Sequence, residues 1–309
     1  MQILLTGATG FVGSHILSRL IEDGHSVSVI KRSHSDIKRI EHFLGQCTLY
    51  NIDEITVGHI FQGQSFDCII HCATYYGRSD TECLKNIETN LLFPLDLLTV
   101  GAARGVRYFI NTDSFFTKQI NSEKSLDEEH YMHGYTLSKI HFKQWGRMLS
   151  KQYGIHFINM QLEHVYGDGD SNSKFIPYIV KACSSNMASV ALSEGTQLRD
   201  FIHISDVAEA YRAVISQLDR IDASYTSYEV GTGRTRSLRE FVGLIHNAIK
   251  STTALSWGEL PMKKGELRES KADITRLKEL GWKPKIVDDE DIQNELRGLI
   301  NITQCPHST

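Results

Sequence analysis

The sequence has little of what marks fibrous, membrane-spanning or nucleic-acid-binding proteins. It contains 5 prolines among 309 residues, and its 23 glycines form no repeat, which excludes collagen-like and low-complexity classes. No apolar run reaches the roughly 18 residues that a membrane-spanning helix needs. The 33 basic and 37 acidic side chains give a formal net charge of −4, which argues against a nucleic-acid partner but allows one small phosphorylated ligand.

The sequence also shows neither closely spaced pairs of cysteines nor the pattern of an export signal. The 6 cysteines are scattered, and none lies in a Cys-x-x-Cys pair, so the sequence gives little support for a zinc site. The segment MQILLTGATG has neither a basic region nor a small-residue cleavage site. We therefore expect no signal peptide, no bound metal, and reduced thiols in a cytoplasmic protein.

Strand and helix patterns alternate along most of the chain. Helical spacing of apolar residues predicts helices at 11–22, 85–104 and 135–152. Short apolar runs predict strands at 2–6, 26–30, 47–52, 67–73, 108–112, 156–162 and 228–230. This alternation predicts an α/β fold with a doubly wound parallel sheet, and ligands bind such sheets at the carboxyl ends of the strands.

The alternation becomes less regular after residue 167, which predicts a second, smaller part of the chain. We expect residues 1–167 and 198–232 to form the dinucleotide-binding domain. Residues 168–197 and 233–300 are expected to form a smaller mixed portion that binds the substrate, and residues 301–309 a tail.

A glycine-rich segment joins the first predicted strand to the first predicted helix. Its G-x-x-G-x-x-G spacing allows a tight turn, so that backbone N–H groups at the helix start can approach a pyrophosphate. Glycine triplets also occur in ordinary turns, but the strand before and the helix after favour dinucleotide binding in a Rossmann-type domain. The residues predicted to hold the cofactor here are Gly7, Thr9, Gly10, Phe11, Val12 and Gly13.

The end of the second predicted strand indicates which dinucleotide binds. An NAD site usually places an acid there for the ribose 2′-OH, whereas this chain has Lys31-Arg32-Ser33 and no carboxylate until Asp36. Arg32 and Ser33, together with Lys31, can pair with a 2′-phosphate. We therefore predict NADPH as the cofactor, with NADH as the alternative. A solvated basic strand end is the simpler interpretation of the same residues.

A second motif, Tyr135-Thr136-Leu137-Ser138-Lys139, lies on a predicted helix and follows the strand that ends in Asn111-Thr112-Asp113-Ser114. About one such Tyr-x-x-x-Lys match is expected by chance, but the i,i+4 spacing puts both side chains on one helix face. We predict that the ammonium of Lys139 lowers the pKa of Tyr135. Tyr135 would then exchange a proton with a sugar oxygen during hydride transfer, and Thr112 would hydrogen-bond that oxygen. The predicted catalytic residues are Thr112, Tyr135 and Lys139.

These motifs resemble those of the extended short-chain dehydrogenases/reductases of the nucleotide-sugar epimerase/dehydratase family. The resemblance covers nearly the whole chain. Further segments that carry it are His71-Cys72-Ala73, Asn90, His164-Val165-Tyr166-Gly167, Gly195-Thr196-Gln197-Leu198-Arg199-Asp200-Phe201, Asp206-Val207-Ala208 and Leu280-Gly281-Trp282-Lys283-Pro284.

The resemblance implies further cofactor and substrate contacts. Arg199 and Lys263 would contact the substrate's phosphates, although Arg199 can instead pair with Asp200 or another surface acid. Asn90 would brace the site. The further implied cofactor residues are Asn51, Ile52, Cys72, Ala73, Thr74, Asn90, Tyr135, Lys139, Leu162 and His164. The implied substrate residues are Tyr76, Arg78, Thr112, Asp113, Ser114, His164, Lys174, Phe175, Arg199 and Lys263.

Three departures narrow the reaction within this family. Sugar 4,6-dehydratases carry Thr-Asp-Glu where this chain has Thr112-Asp113-Ser114, and a hydroxyl cannot replace the glutamate as a base, although Asp113 remains. The 4-epimerases keep NAD bound, whereas Lys31-Arg32-Ser33 favours NADPH that is consumed. Finally, residues 73–78, 111–116 and 162–167 are similar to bacterial nucleotide-linked 4-keto-deoxyhexose reductases, especially those like CDP-abequose and CDP-paratose synthases.

We therefore predict an NADPH-dependent reductase of the C4 keto group of a CDP- or dTDP-linked 4-keto-6-deoxy- or 3,6-dideoxyhexose. The resemblance implies a role in bacterial surface-polysaccharide biosynthesis, including the O-antigen of lipopolysaccharide. The alternatives are an NAD-dependent nucleotide-sugar 4-epimerase and a non-catalytic dinucleotide-sensing protein with the same fold. We expect a homodimer with a nucleotide-sugar substrate, and neither nucleic acid nor membrane as a partner.

Overall fold

The structure, a computed structural model, describes residues 1–77, 82–120 and 132–304. Arg78, a predicted substrate residue, lies outside the described residues, as do residues 305–309 of the predicted tail. The strands are β1 (Gln2–Thr6), β2 (Ser26–Lys31), β3 (Cys47–Asn51), β4 (Cys68–His71), β5 (Tyr108–Ser114), β6 (His156–Leu162), β7 (His164–Tyr166), β8 (Ser189–Leu192), β9 (Leu198–Arg199), β10 (Phe201–His203), β11 (Tyr225–Val230), β12 (Arg236–Ser237) and β13 (Ala254–Trp257). The helices are α1 (Phe11–Glu22), α2 (Val57–Ile60), α3 (Cys83–Ile87), α4 (Phe93–Ala103), α5 (His133–Tyr153), α6 (Phe175–Ser184), α7 (Ile204–Ile215), α8 (Leu238–Ile249), α9 (Thr275–Glu279) and α10 (Asp289–Gln304).

A parallel sheet organises the first part of the chain. Within the described residues it has seven strands in the order β11-β6-β5-β4-β1-β2-β3, which confirms the predicted doubly wound fold. β1 lies between β2 and β4, with Thr6 opposite Ile30 on one side and His71 on the other. The chain therefore changes direction at β1, and this reversal leaves a crevice at the carboxyl ends of β1 and β4.

Both faces of the sheet are covered by helices, because side chains alternate along each strand. Ile3 and Leu5 point into a core formed with α1 and α7, whereas Leu4 points into a second core with α4 and α5. All three side chains are fully buried, and each such burial stabilises the fold by about 1.5–3 kcal/mol. The sheet is thus a rigid support for the loops at its carboxyl edge.

The second part of the chain packs beside that edge around a third core. β8 pairs with β13, and the core contains side chains of α6, α8 and α10. The rings of Phe201 and Phe241 stack at 3.8 Å within it. β10 pairs with β7, with Phe201 opposite His164, so this core is joined directly to the end of β6.

The described residues lack two features, a helix that could span a membrane and a cluster of metal-ligating side chains. No helix in residues 1–77, 82–120 and 132–304 is long and apolar enough to cross a bilayer. In the same ranges, no three His, Cys, Asp or Glu side chains form a group that could hold a metal ion.

Candidate active site

The glycine-rich turn between β1 and α1 approaches its neighbouring backbone closely. Gly7 has a φ of +72°, and a Cβ atom there would lie 2.5 Å from the backbone nitrogen of Ala73. A Cβ atom at Gly13 would lie 2.2 Å from the carbonyl oxygen of Gly7. α1 begins at Phe11 without a side-chain cap, so the N–H groups of its first turn have no intrahelical acceptor and fit a pyrophosphate. The predicted residues Thr9 and Gly10 lie in the same turn, and Val12 lies in the first turn of α1.

The basic segment after β2 lies beside the end of β3. Lys31 is paired in register with Asn51, and its Nζ lies 2.8 Å from Asn51 Oδ1. Arg32 is exposed. The backbone N–H and the hydroxyl of Ser33 both donate to the carboxylate of Asp53, at 2.8 and 2.5 Å. The structure therefore groups the residues predicted to select the cofactor and adds a carboxylate that the sequence reasoning missed.

The end of β4 is fastened to β1. Thr6 Oγ1 accepts hydrogen bonds from the backbone N–H groups of Cys72 and Ala73 at 3.2 and 3.1 Å, and lies 2.8 Å from His71 Nδ1. Burial, with a further contribution from the charge of Lys139, holds the pKa of His71 well below its usual range. His71 is therefore a neutral structural group, and the predicted cofactor residues Cys72 and Ala73 stay next to the glycine turn.

Asn90 fastens the segment that follows β4. Its Oδ1 accepts from the backbone N–H of Tyr75 at 2.8 Å and from the Thr74 hydroxyl at 3.1 Å. Its Nδ2 donates to the carbonyl of Tyr75 at 2.8 Å and to the hydroxyl of Ser138 at 3.1 Å. Asn90 is fully buried, so these contacts connect the loop rigidly to the helix that carries Tyr135.

Tyr135 lies near the start of α5 and is surrounded by side chains from two loops. Its ring is 3% exposed, stacks on Tyr76 at 5.0 Å, and meets the Phe116 ring edge-on at 6.3 Å. Burial raises the pKa of its hydroxyl, and hydrogen bonding by the side chains of Ser114 and Thr74 partly opposes that rise. The phenol therefore lies at the carboxyl edge of β5, next to the segment held by Asn90.

The prediction that Lys139 lowers the pKa of Tyr135 is wrong. Burial, and then the neighbouring Tyr76, raises the pKa of Tyr135 well above its usual value. Lys139 Nζ instead donates to the carbonyl oxygen of Thr112 at 2.9 Å. Burial, partly opposed by the charge of Asp113, lowers the pKa of Lys139 to about 8. At neutral pH the phenol is therefore protonated and can act as an acid.

The hydroxyl of Thr112 contacts one side chain of α7 and one side chain that follows β4. Its Oγ1 lies 2.7 Å from the buried hydroxyl of Tyr211 on α7 and 3.1 Å from the sulfur of Cys72. Ser114, on the same strand face and about 7 Å further along, is the β5 hydroxyl that bonds with Tyr135. The structure thus places Ser114 near Tyr135 and the hydroxyl of Thr112 in contact with Tyr211 and Cys72, and the catalytic role of Thr112 stays a prediction.

Asp113, predicted to contact substrate, is turned into the protein interior. Its carboxylate accepts from the backbone N–H of Ser114 at 2.8 Å and from Asn159 Nδ2 at 3.0 Å. It also accepts from the hydroxyl of Thr117 at 3.3 Å and pairs with Lys143 at 3.1 Å. Both oxygens are engaged and the residue is 2% exposed, so the structure does not present this carboxylate to a substrate, contrary to the prediction.

Arg199, predicted to bind substrate phosphate, is paired with an acid of the chain. Its guanidinium lies 3.0 Å from Glu266 and donates to the carbonyl of Leu198 at 2.8 Å. Asp200, the other acid considered, instead accepts from backbone N–H groups of residues 232, 233 and 272. The backbone N–H of Glu266 donates to the carbonyl of Lys263 at 3.2 Å, so the loop that carries Lys263 also supplies the acid that pairs with Arg199.

His164 lies between cations and aromatic rings. Burial, followed by the charges of Arg199 and Lys174, lowers the pKa of His164 to about 3. Its ring lies 4.4 Å from that of Phe115 and 5.7 Å from that of Phe201. The imidazole is therefore neutral, and it lies near the predicted substrate residues Arg199 and Lys174.

Lys174 connects the second part of the chain with the glycine turn. Its ammonium pairs with Asp170 at 2.8 Å. It also lies 5.4 Å from the centre of the Phe11 ring and 5.6 Å from that of Tyr76, distances typical of cation–π contacts. Phe175, the next residue, begins α6 and is partly exposed. This cation therefore stands between the helix start that fits a pyrophosphate and the ring that covers Tyr135.

The fold and the site agree with a known protein family. A sequence profile described as the NAD dependent epimerase/dehydratase family matches residues 3–231. The chain belongs to this family. It is 34% identical over 302 residues to the CDP-abequose synthase of Salmonella typhimurium, covering 96% of this chain and 98% of that protein. A CDP-abequose synthase of Salmonella muenchen is 33% identical over 298 residues, covering 96% of this chain and 97% of that protein.

Solved structures of the epimerase/dehydratase family share the fold. The UDP-glucose 4-epimerase of Thermotoga maritima, solved with UDP-glucose, superposes with a TM-score of 0.82 at 23% identity, over 98% of this chain and 99% of that chain. This likeness confirms the predicted fold class. Members of the family are NAD(P)-dependent enzymes that act on nucleotide sugars, and the chain is therefore an enzyme of this kind.

Two of the residues that were predicted to bind the cofactor contribute mainly to core packing. Leu162 is buried at the end of β6 in the core under α1, and Ile52 packs against the opposite core. The residues that sequence reasoning missed are Asp53 and Glu266, which pair with Ser33 and Arg199. No local pattern marks either acid, because each meets its partner only through the fold.

Proposed function

We propose that this chain reduces the C4 keto group of a CDP-linked deoxyhexose with NADPH. The observation that supports this most directly is the buried phenol of Tyr135, which is protonated at neutral pH and stacks on the ring of Tyr76 at the carboxyl edge of the sheet. The likeness to CDP-abequose synthases favours CDP over dTDP as the nucleotide. As the resemblance implies, the product would serve bacterial surface-polysaccharide biosynthesis in the cytoplasm.

The residues at the sheet edge fit a nicotinamide dinucleotide. The turn at Gly7 and Gly13 leaves no space for a Cβ atom, and backbone can therefore approach the pyrophosphate. When bound, the reduced dinucleotide supplies a hydride to C4 of the sugar. Tyr135 gives its phenolic proton to the C4 oxygen, so the ketone becomes a hydroxyl and the phenol becomes a phenolate. Ser114, hydrogen-bonded to Tyr135, would orient that oxygen.

The protonation state of Tyr135 favours reduction over epimerisation. A 4-epimerase must first remove a proton from a sugar hydroxyl, and a phenol that is already protonated at neutral pH cannot accept it. In reduction the same phenol only donates. Asp113, the one acid of the Thr-Asp-Glu pattern that remains, is engaged by Lys143 and Asn159, which argues against a dehydratase as well.

We also propose that two chains form a homodimer through α5 and the adjoining segment 83–92. These segments contact each other and expose large apolar side chains: Leu84 is 69% exposed, Leu92 55%, Trp145 48% and Met148 46%. Neighbouring exposed apolar side chains on paired helices are typical of an interaction surface, and a stable interface needs about 800 Å² from each partner. A second copy of the chain would bury this face.

A substrate panel tests the proposed reaction. CDP- and dTDP-linked 4-keto-6-deoxy- and 4-keto-3,6-dideoxyhexoses are mixed with NADPH or NADH, nicotinamide absorbance reports turnover, and product NMR gives the C4 configuration. We expect a CDP-linked ketone to consume NADPH in equal amount. Tyr135→Phe should reduce turnover by about 10²-fold or more while NADPH affinity is retained. Tyr153→Phe, which removes an exposed hydroxyl from the same helix, should not change turnover.

Two results would contradict the proposal. One is the absence of NADPH consumption with every keto sugar in the panel. The other is conversion of a nucleotide sugar to its C4 epimer with no net change in nicotinamide absorbance. Unchanged turnover in Tyr135→Phe would remove Tyr135 from the reaction.

A further inference from the structure

The segment after β2 lies where the adenosine ribose of a dinucleotide is expected. β2 is next to β1, and in doubly wound folds the ribose lies beyond the end of this second strand. Arg39, further along the same segment, donates to the carbonyl oxygen of Thr9 in the glycine turn at 3.3 Å. Groups at the carboxyl ends of β2 and β3 are therefore expected to lie near the 2′ position of that ribose.

Folding brings a carboxylate to this position, although that carboxylate is distant from Ser33 in the sequence. Asp53 follows β3, 20 residues after Ser33, and accepts both the backbone N–H and the hydroxyl of Ser33. His34 Nδ1 lies 3.7 Å from the same carboxylate. The hydrogen bonds from Ser33 hold the pKa of Asp53 below its usual value, so the group is ionised throughout the neutral range. Asp36, the nearest acid in sequence, accepts a hydrogen bond from the backbone N–H of Lys38 at 3.0 Å.

We infer that Asp53 limits the preference for NADPH, because its carboxylate occupies the two donors of Ser33 that a 2′-phosphate would use. A phosphate monoester carries nearly two negative charges and needs several donors, so it competes with the carboxylate for Ser33 and is repelled by its charge. The ribose 2′-OH of NADH carries no charge and meets no such repulsion. This inference rests on the proposed function only for the place of the dinucleotide.

The neighbouring cations offset this repulsion in part. Arg32 is exposed at the strand end and can pair with a phosphate. Lys31 is held at the strand end, since its ammonium donates to Asn51 and to the carbonyls of Arg32 and Ser33. The cations thus favour binding of a 2′-phosphate and the carboxylate of Asp53 disfavours it. The chain should therefore accept NADH as well as NADPH.

Direct binding of the two cofactors tests this inference without any sugar substrate. NADPH and NADH are titrated into the purified protein, and nicotinamide fluorescence gives the two dissociation constants. In Asp53→Ala we expect NADPH affinity to rise about tenfold, since Ser33 is released and one negative charge is removed, while NADH affinity does not rise. Adding Ser33→Ala to this variant should remove part of the gain.

Asp36→Ala is the matched control, because it removes an exposed carboxylate from the same segment without freeing Ser33. NADPH affinity in this variant should change by less than about twofold, since exposed charges are screened by salt. A gain in Asp53→Ala of less than about threefold, an equal gain in Asp36→Ala, or a gain that Ser33→Ala leaves unchanged would overturn the inference. Because binding is measured without sugar, failure of the proposed reduction would leave this result standing, and the reverse also holds.

Discussion

Lys139 donates its ammonium hydrogen bond to the carbonyl oxygen of Thr112, at 2.9 Å, and not to the phenol of Tyr135. The two residues of the Tyr-x-x-x-Lys motif share a helix face, yet their side chains contact different neighbours. Lys139 is held at the end of β5, where Asp113 supports its charge, while Tyr135 is buried among aromatic rings. The acid of the site and its cation can therefore be tested separately.

Ser114 and Thr112 should respond differently to loss of their hydroxyls. Ser114→Ala removes a hydrogen-bond partner of Tyr135, so we expect kcat to fall by about 10²-fold, as for loss of one donor to a developing oxyanion. Thr112→Val leaves the buried hydroxyl of Tyr211 without this partner, and should lower the free energy of unfolding by about 1–3 kcal/mol. Steady-state kinetics and thermal unfolding of both variants give the comparison.

The expected pattern is loss of rate with retained stability in Ser114→Ala, and loss of stability with kcat within about threefold in Thr112→Val. If Thr112→Val instead loses rate as Ser114→Ala does and unfolds normally, Thr112 is the catalytic hydroxyl that the sequence predicts.

The pH dependence of reduction should follow Lys139. Burial lowers the pKa of Lys139 to about 8, so its ammonium is present below that pH and is lost above it. The pKa of Tyr135 is raised, so the phenol remains protonated through the same range. We expect kcat/KM to fall as pH rises through about 8. Lys139→Arg, whose side chain stays charged, should move this decline to higher pH.

Steady-state assays between pH 6 and 10 give the pH profile of kcat/KM, with NADPH stability checked in enzyme-free controls at each pH. A rate that stays constant up to about pH 10 would contradict the assignment, as would a decline at the same pH in Lys139→Arg.

The apolar face on α5 should decide the oligomeric state. Trp145 and Met148 lie one turn apart and are about half exposed, so Trp145→Glu puts a charge in the centre of the proposed interface. We expect light scattering after size exclusion to show a dimer for the natural chain and a monomer for Trp145→Glu. Glu259→Lys reverses an exposed charge in the second part of the chain, outside both segments, and should remain dimeric. A monomeric natural chain at micromolar concentration would contradict the homodimer.

Long elements with regular patterns could be predicted from the sequence. The helix expected at 11–22 is observed with these bounds, and that expected at 135–152 is observed as α5, His133–Tyr153. β11 begins at Tyr225, earlier than the expected residue 228. The sequence pattern missed its first residues because they are mostly polar. Strands of two or three residues, such as β9 and β10, were missed because so few positions carry no periodicity.

The sequence by itself determined the parallel sheet, the glycine turn and the pairing of Tyr135 with Lys139 on one helix, because each depends on the spacing of residues close together in the chain. Only the tertiary structure decided that Ser114 meets Tyr135 and that Lys139 meets the backbone of Thr112. It likewise brought Glu266 to Arg199 and Asp53 to Ser33. Such contacts join residues on different strands and loops, and their geometry depends on the packing of the whole sheet edge.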